Sequence, residues 1–528
     1  MKKLMWCFFI VSFWFTIAGC IGNDVYIDDD VGEIDGVINI SYNDTKQTID
    51  GFGGSNAWIG LPSNSAAADE VVKLLYSKTE GMGFTILRNR IPFRERLPGD
   101  DDPNLNDGFL VRKSDHTYNY TESAGVKTFS LNWNSWDLSN TRNLITRIKN
   151  LGSDGPGNQL TIMSTPWTPP NNRVTQWKED VTGTGISAHD GVINWSRPDW
   201  WGRLKREYYN DYADLLADYV RNFQTNMGHP LAILSIQNEP NMKVGYESAY
   251  MNGSDIRDFL KAIGQRFPLK GITLGGTNGL GIMAPEFENY DINFDAMIKP
   301  SLDDPASNNV LTHIALHQYN AGWDSGVTAG TSNGLNYFPK IAASEKRFWQ
   351  SEIGTLGPNA PAGYGINNAL YFARMIHFDM IMAGTNAFLY WWLWLNPDTD
   401  KMEDSLITVY GNKVTAAKRL YAMGQYSRFI RPGWIRIEAD SESVSGIFSS
   451  AYKSPTGNEI AIVIINNTNT YRNITLDPGI NNFTSLKVWR TSEVEDLMFI
   501  GNQRISDGKT NIRLPPRSIT TFYGSVLH

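Results

Sequence analysis

The chain has 528 residues, 41% hydrophobic, 12% aromatic and 19% charged, a globular composition that excludes collagen-like and disordered classes. Its 47 basic residues against 55 acidic ones give a formal charge of −8 with no Lys/Arg stripe, which argues against a nucleic-acid partner. Two cysteines exclude a disulfide-stapled scaffold and a Cys-rich zinc or iron–sulfur site.

At the N-terminus, Lys2 and Lys3 precede an apolar run from Leu4 to Ala18 that ends at Gly19-Cys20. That is a charged region, an apolar region and a small-residue cleavage site, too short for the roughly 20 residues of a membrane-spanning helix. Ile17-Ala18-Gly19-Cys20 resembles the bacterial lipobox. The segment 1–20 is therefore expected to be a lipoprotein signal peptide, with Cys20 lipidated; an ordinary signal peptide leaving Cys20 as a free thiol is the competing reading. A lipid anchor implies attachment to a membrane of the bacterial envelope, at the outer membrane or cell surface. Residues 21–36, with Asp28-Asp29-Asp30, read as an acidic tether.

From there to about residue 430, short apolar runs alternate with helical patterns. A helical pattern begins near Ala66; strands are expected at 84–91, 159–167, 231–240, 272–276, 311–320, 346–354 and 387–394; helices are expected at 208–223, 255–267 and 369–383. Gly51-Phe52-Gly53-Gly54 reads as a tight turn. The alternation predicts an α/β fold, a (β/α)8 barrel over 51–430. A doubly wound sheet is the alternative, without a Gly-rich phosphate loop to support it. After Arg431-Pro432-Gly433 strands dominate, at 460–466, 485–490 and beyond, which marks 431–528 as a separate β domain.

Two carboxylates stand out. Glu239 in Gln237-Asn238-Glu239-Pro240 and Glu352 in Trp349-Gln350-Ser351-Glu352 each follow an apolar strand and precede a breaker. On a barrel both point into one mouth, and glycoside cleavage needs two such groups, one to protonate the leaving oxygen and one to attack or to activate water. Surface or helix-capping glutamates are the plain structural alternative.

Several stretches together resemble glycoside hydrolase family 30. They are Ile49-Asp50-Gly51-Phe52-Gly53-Gly54-Ser55, Ser164-Thr165-Pro166-Trp167-Thr168-Pro169-Pro170, Gln237-Asn238-Glu239-Pro240-Asn241 with Tyr246-Glu247-Ser248, and Trp349-Gln350-Ser351-Glu352. Gly424-Gln425-Tyr426-Ser427-Arg428-Phe429-Ile430-Arg431-Pro432-Gly433 is similar to the junction between barrel and β domain in the bacterial xylanase branch. The resemblance runs from about residue 37 to the C-terminus. It implies a side β-sandwich at 431–528 joined by an N-terminal strand at 37–50. It also implies a retaining mechanism with Glu239 as acid/base and Glu352 as nucleophile, no cofactor and a polysaccharide substrate.

Around that pair, Arg88 is expected beside the nucleophile to keep it charged, with Arg90 of the same strand parity as the alternative. Asn238 is expected to bond the sugar 2-hydroxyl, Tyr319 to orient Glu352, and His317 to line the sugar site. His313 and His317 share a strand face, but no third ligand of HExxH type accompanies them, so no metal is expected. Trp167 and Trp391 are candidate sugar platforms. Strand alternation lets at most one of Trp391 and Trp392 face the cleft. Trp133, Trp136, Trp200 and Trp201 are open between platform and core.

Glucuronoxylanases of the family recognise a glucuronyl branch through basic and tyrosine residues after the last barrel strand. Here that loop, 393–401, holds no Arg but Asp398 and Asp400, with Lys401 a poor substitute. An insert from Arg173 to Trp201 is a second departure. The expected activity is thus an endo-xylanase without strict need for glucuronyl branches. A β-1,6-glucanase or an exo-acting β-glycosidase is the alternative within the family, and a non-catalytic surface glycan-binding lipoprotein the alternative of another class. A monomer is expected.

Overall fold

The computed structural model describes residues 25–27, 31–93, 109–115, 117–170, 177–179, 187–188, 202–244, 246–290, 292–319, 337–355, 363–398 and 404–525. The signal segment with Cys20, most of the 173–201 insert, Trp200 and Trp201, and the loop end with Asp400 and Lys401 lie outside them.

Eight parallel strands close into a barrel: β2 (Gly51–Ser55), β3 (Ile86–Ile91), β4 (Thr161–Pro166), β5 (Ile233–Ser235), β6 (Gly281–Phe287), β7 (His313–Leu316), β8 (Arg347–Gln350) and β9 (Ala387–Trp392), each hydrogen-bonded to the next and β9 to β2. Helices α1 (Ser65–Tyr76), α2 (Trp136–Asn150), α3 (Tyr209–Met227), α4 (Gly253–Leu269) and α5 (Ile366–Phe378) surround it. Local chemistry sets their ends. Asn252 and Asp255 form a capping box at the start of α4, and α3 stops at left-handed Gly228, φ 72°. Ile86, Met163, Ile233, Met283, Ala315, Trp349, Ala387 and Leu389 fill the barrel interior as one cluster.

Two expectations of the sequence change here. Gly51-Phe52-Gly53-Gly54 is not a turn but the strand β2. A Cβ on Gly53 would stand 1.9 Å from the backbone oxygen of Ile86, so glycine is needed for the close approach of β3. The strand expected at 272–276 is a loop held by one bridge between Leu274 and Leu280; the barrel strand is β6, ten residues later.

β1 (Gly36–Thr48) lies outside the barrel. It pairs antiparallel with the strand Ile435–Ala439 and parallel with Arg472–Asp477, within the nine-stranded β layer of the C-terminal sandwich. That domain has its own core, including Ile38, Ile437, Ile462, Ile474 and Phe522. Helix α6 (Lys418–Ser427) stitches the two domains: Gln425 donates to Thr491 at 2.9 Å and accepts from the Thr521 hydroxyl at 2.6 Å, while Ser427 bonds Met82 at 2.6 Å. The expected tether is not free along its length. Ile27 N–H bonds Asn502 at 2.9 Å, and Asp35 N–H bonds Asn473 at 2.8 Å, both on the sandwich. Among the described residues, no helix is long and apolar enough to cross a membrane.

Candidate active site

The C-terminal ends of the barrel strands carry the polar residues. Arg88 sits in β3, Glu239 four residues past the end of β5, Glu286 in β6, His317 and Tyr319 after β7, and Glu352 two residues past β8. The Asn238-Glu239 stretch bridges its neighbours: Asn238 N–H bonds Pro166 at 2.9 Å and Glu239 N–H bonds Glu286 at 2.9 Å. Both Glu239 and Glu286 have positive φ, 41° and 52°. Such strain costs on the order of 1–3 kcal/mol per residue and persists where the surroundings over-determine it.

Glu239, His317 and Glu352 each offer an atom within 4.8 Å of the other two. His317 Nδ1 donates to Glu239 Oε1 at 2.9 Å and lies 3.9 Å from Glu352 Oε1. Tyr319 hydroxyl donates to Glu352 Oε1 at 2.9 Å. Arg88 donates from Nη1 to Glu352 Oε2 at 2.6 Å and from Nη2 to Asn238 Oδ1 at 2.6 Å. Arg88 Nη2 also stands 3.1 Å from Glu286 Oε1. The structure thus brings Arg88, Asn238, Glu239, His317, Tyr319 and Glu352 together. Arg90, the alternative partner, instead pairs with Glu247 and, at 3.0 Å, with Asp137. His313 lies at the other end of β7, four residues or about 13 Å from His317, where its ring packs on Trp349. It shares no ligand set with His317. The donor atoms of Glu239, His317 and Glu352 are already engaged with one another and with Arg88 and Tyr319, a set built for proton and charge control.

The aromatic expectations are corrected in part. Trp167 is 1% exposed and is no open platform. Its ring lies 4.7 Å from the Arg88 guanidinium, so it serves as a cation–π backing for that arginine. Trp391 packs against it, and Trp58 joins both, 4.9 Å from Trp167 and 5.8 Å from Trp391. Alternation does not separate Trp391 from Trp392: their rings stack at 5.2 Å, because a register shift between Tyr390 and Trp392 makes Trp391 a bulge. Trp133 is structural, stacked on Tyr219 at 5.4 Å, and Trp136 is an exposed residue at the start of α2.

Glu286 is the residue the sequence reading missed. Its carboxylate is fully buried; Oε2 accepts from Thr165 at 3.1 Å and from Ser235. Pro285 inside the strand disguised β6, since proline argues against a central strand. The usable signal was an apolar run, Gly281-Ile282-Met283-Ala284, ending in Pro285-Glu286 as β5 leads into Asn238-Glu239. Tyr246 and Trp58 were missed as well. Tyr246 hydroxyl reaches Glu239 Oε2 at 3.3 Å, and its ring meets Trp58 at 5.9 Å.

Charge balance follows from burial and pairing. Burial alone would raise Glu286, but Arg88, His317 and the Ser235 hydroxyl outweigh it and hold the carboxyl at about 2, against an ordinary 4.5. Burial works against a charge on His317, yet Glu352, Glu239 and Glu286 lift it to about 10 from 6.5. Burial also pushes the Glu352 carboxyl upward, against the pull of His317 and Arg88. Tyr319 is pushed well above its ordinary value by burial and then by Glu352 and Glu239, so it remains a neutral donor.

These shifts set a pH window. The Glu286 contribution is present above pH 4.5 and is lost as pH falls through about 2. The His317 contribution is complete below pH 6.5 and is lost as pH rises through about 10. Thermal melting of the wild type should therefore fall more steeply than that of His317→Gln between pH 6.5 and 10. Parallel melting curves would refute a charged His317.

Comparison with known proteins gives the family. A family profile described as O-Glycosyl hydrolase family 30 matches residues 196–408, and one described as Glycosyl hydrolase family 30 beta sandwich domain matches 434–522. Glucuronoxylanase XynC of Bacillus subtilis is 26% identical over 367 residues, 68% of this chain and 73% of that protein. A family 30 endoxylanase structure from Clostridium papyrosolvens C71 superposes with TM-score 0.66 at 22% identity, covering 93% of this chain and 100% of that one. The endo-β1,6-glucanase BT3312 does so with TM-score 0.64 at 18% identity, covering 94% and 96%. The match takes in both barrel and sandwich, so the chain belongs to glycoside hydrolase family 30 and is a glycosidase by that membership.

Proposed function

We propose that the protein is a retaining, endo-acting hydrolase of β-1,4-xylan or a related xylan backbone, with Glu239 as acid/base and Glu352 as nucleophile. One observation carries the mechanism: oxygens of Glu239 and Glu352 lie within 4.8 Å of each other, while Arg88 and Tyr319 hold Glu352. Retaining pairs stand about 5–5.5 Å apart, and inverting pairs are spaced wider to admit a water.

Charge counting accommodates a two-glutamate displacement. Two cations, Arg88 and His317, face three carboxyls, Glu239, Glu286 and Glu352. The buried cluster is neutral when one proton sits on Glu239. In the first step Glu239 gives that proton to the leaving oxygen, while Glu352 bonds the anomeric carbon and loses its charge as an ester. The cluster is still neutral. In the second step Glu239 takes a proton from water, the water oxygen bonds the anomeric carbon, and Glu352 leaves as carboxylate. No step creates net charge in a largely buried site, where such charge is expensive. Arg88 holds the Asn238 amide oxygen, so the amide NH2 is the end that can donate to a sugar 2-hydroxyl.

The xylan assignment rests on the resemblance to XynC and on the 393–401 loop, whose acidic residues oppose a glucuronyl carboxylate. We also place the enzyme on the bacterial envelope through a lipid on Cys20. Mass spectrometry of products from linear xylan, glucuronoxylan and β-1,6-glucan tests the specificity. Neutral xylo-oligosaccharides of several lengths from linear xylan are expected. Acidic products from glucuronoxylan alone would restore a glucuronyl clamp. Cleavage of β-1,6-glucan alone would replace the substrate and leave the two glutamates in their roles.

A further inference from the structure

Among the described residues, the buried Glu286 is a carboxylate in contact with the site that the proposed double displacement does not use. It is sealed from solvent and cannot touch a sugar. Its carboxylate is nevertheless fixed with care: Oε2 by Thr165 and Ser235 from β4 and β5, Oε1 at 3.1 Å from Arg88 Nη2 and 3.7 Å from His317 Nε2. The same two cations present their other edges to the working carboxylates, Arg88 Nη1 to Glu352 at 2.6 Å and His317 Nδ1 to Glu239 at 2.9 Å.

We propose that Glu286 is a positioning residue: a permanent counter-anion beneath the two catalytic glutamates that holds Arg88 and His317 in place and keeps His317 charged. This rests on the assignment of Glu239 and Glu352 above. The groups facing His317 are Glu239 from the β5 end, Glu286 from β6, Tyr319 on its own strand end and Glu352 from the β8 end. Arg88 pairs with both Glu286 and Glu352, and Glu288, its own carboxyl raised by burial, interacts with both Glu239 and His317. With Glu286 the count closes at zero before and after transfer of the sugar. Without it, one positive charge is left over, and the cluster relieves the excess by releasing a proton from His317. That release weakens the orientation of the acid as pH rises.

The test compares wild type with Glu286→Gln and Glu286→Asp on linear xylan, reading kcat/KM from pH 4 to 10. Glu286→Gln is expected to lower kcat more than tenfold and to move the basic limb to lower pH by about one unit. Glu286→Asp, which keeps the charge, is expected to restore the limb. A purely structural residue would lower activity at every pH and leave the limb where it is; that result, in a variant that melts like wild type, overturns the proposal. Nitrogen-15 spectra of the imidazoles give a readout that needs no turnover. At pH 7.5 the His317 ring, identified by its absence in His317→Gln, should carry protons on both nitrogens in wild type and on one in Glu286→Gln. A neutral His317 in wild type also overturns the proposal, and this holds even where Glu286→Gln fails to fold. A charged His317 in a protein that cleaves no β-glycan would leave the counter-anion standing and remove the assigned function instead.

Discussion

Glu352→Gln should abolish turnover, by on the order of 10⁴- to 10⁶-fold, as removal of a nucleophile does elsewhere, and leave glycan binding in place. The substitution keeps the volume and the Tyr319 contact but removes the anion that Arg88 meets at 2.6 Å and the lone pair that bonds the anomeric carbon. An amide forms no glycosyl ester, so the loss falls on kcat. Reducing-sugar release from xylan, read beside affinity electrophoresis in the same polymer, separates the two effects. A variant retaining more than about one hundredth of the wild-type rate would remove Glu352 from the nucleophile role, since each factor of ten is about 1.4 kcal/mol of barrier. A wild type that binds glycans and turns none over would instead favour a binding lipoprotein on the same fold.

The architecture was legible because its signals are periodic and local. Apolar runs such as 159–167 and 311–320 end in polar or aromatic residues, and each falls on a barrel strand whose C-terminal end carries the site. Glu239 and Glu352 could be picked out because both stand between an apolar run and a breaker. What escaped was set by contacts across the barrel. Gly51–Gly54 carries turn residues, yet it is a strand because β3 comes too close for any side chain. Pro285 hid β6 and with it Glu286, while the apolar 272–276 took its place. Trp167 looked like a loop platform next to Pro169-Pro170, but its position is decided by Arg88, 79 positions earlier in β3 by their residue numbers. The parity argument for Trp391 and Trp392 failed at a bulge, which alternation along one strand cannot reveal. The choice between Arg88 and Arg90 shows the same limit: both point inward, and only their partners, Glu352 for one and Glu247 with Asp137 for the other, distinguish them.

Arg88→Met should damage the fold as well as the chemistry. The methionine fills part of the volume and can still pack against Trp167, but it leaves Glu286 and Glu352 buried without their shared cation. Removing one partner of a buried pair costs about 3–5 kcal/mol, and at roughly 1.2 °C per kcal/mol for a barrel of this size the melting temperature should drop by about 4–6 °C. The sign of the pH dependence identifies the cause. Without Arg88 both carboxyls take up protons more readily, so the penalty is greatest where they are forced to ionise and shrinks as the solution is acidified. Calorimetry of wild type and Arg88→Met at pH 7 and pH 4 should show the gap narrowing at pH 4. Arg88→Lys should recover part of the stability through its charge but little activity, because a single ammonium cannot serve Glu352, Asn238 and Glu286 at the angles the planar guanidinium does. A gap that stays constant across pH would mean that Arg88 supports the barrel by packing on Trp167, and that the carboxylates are neutralised by other groups.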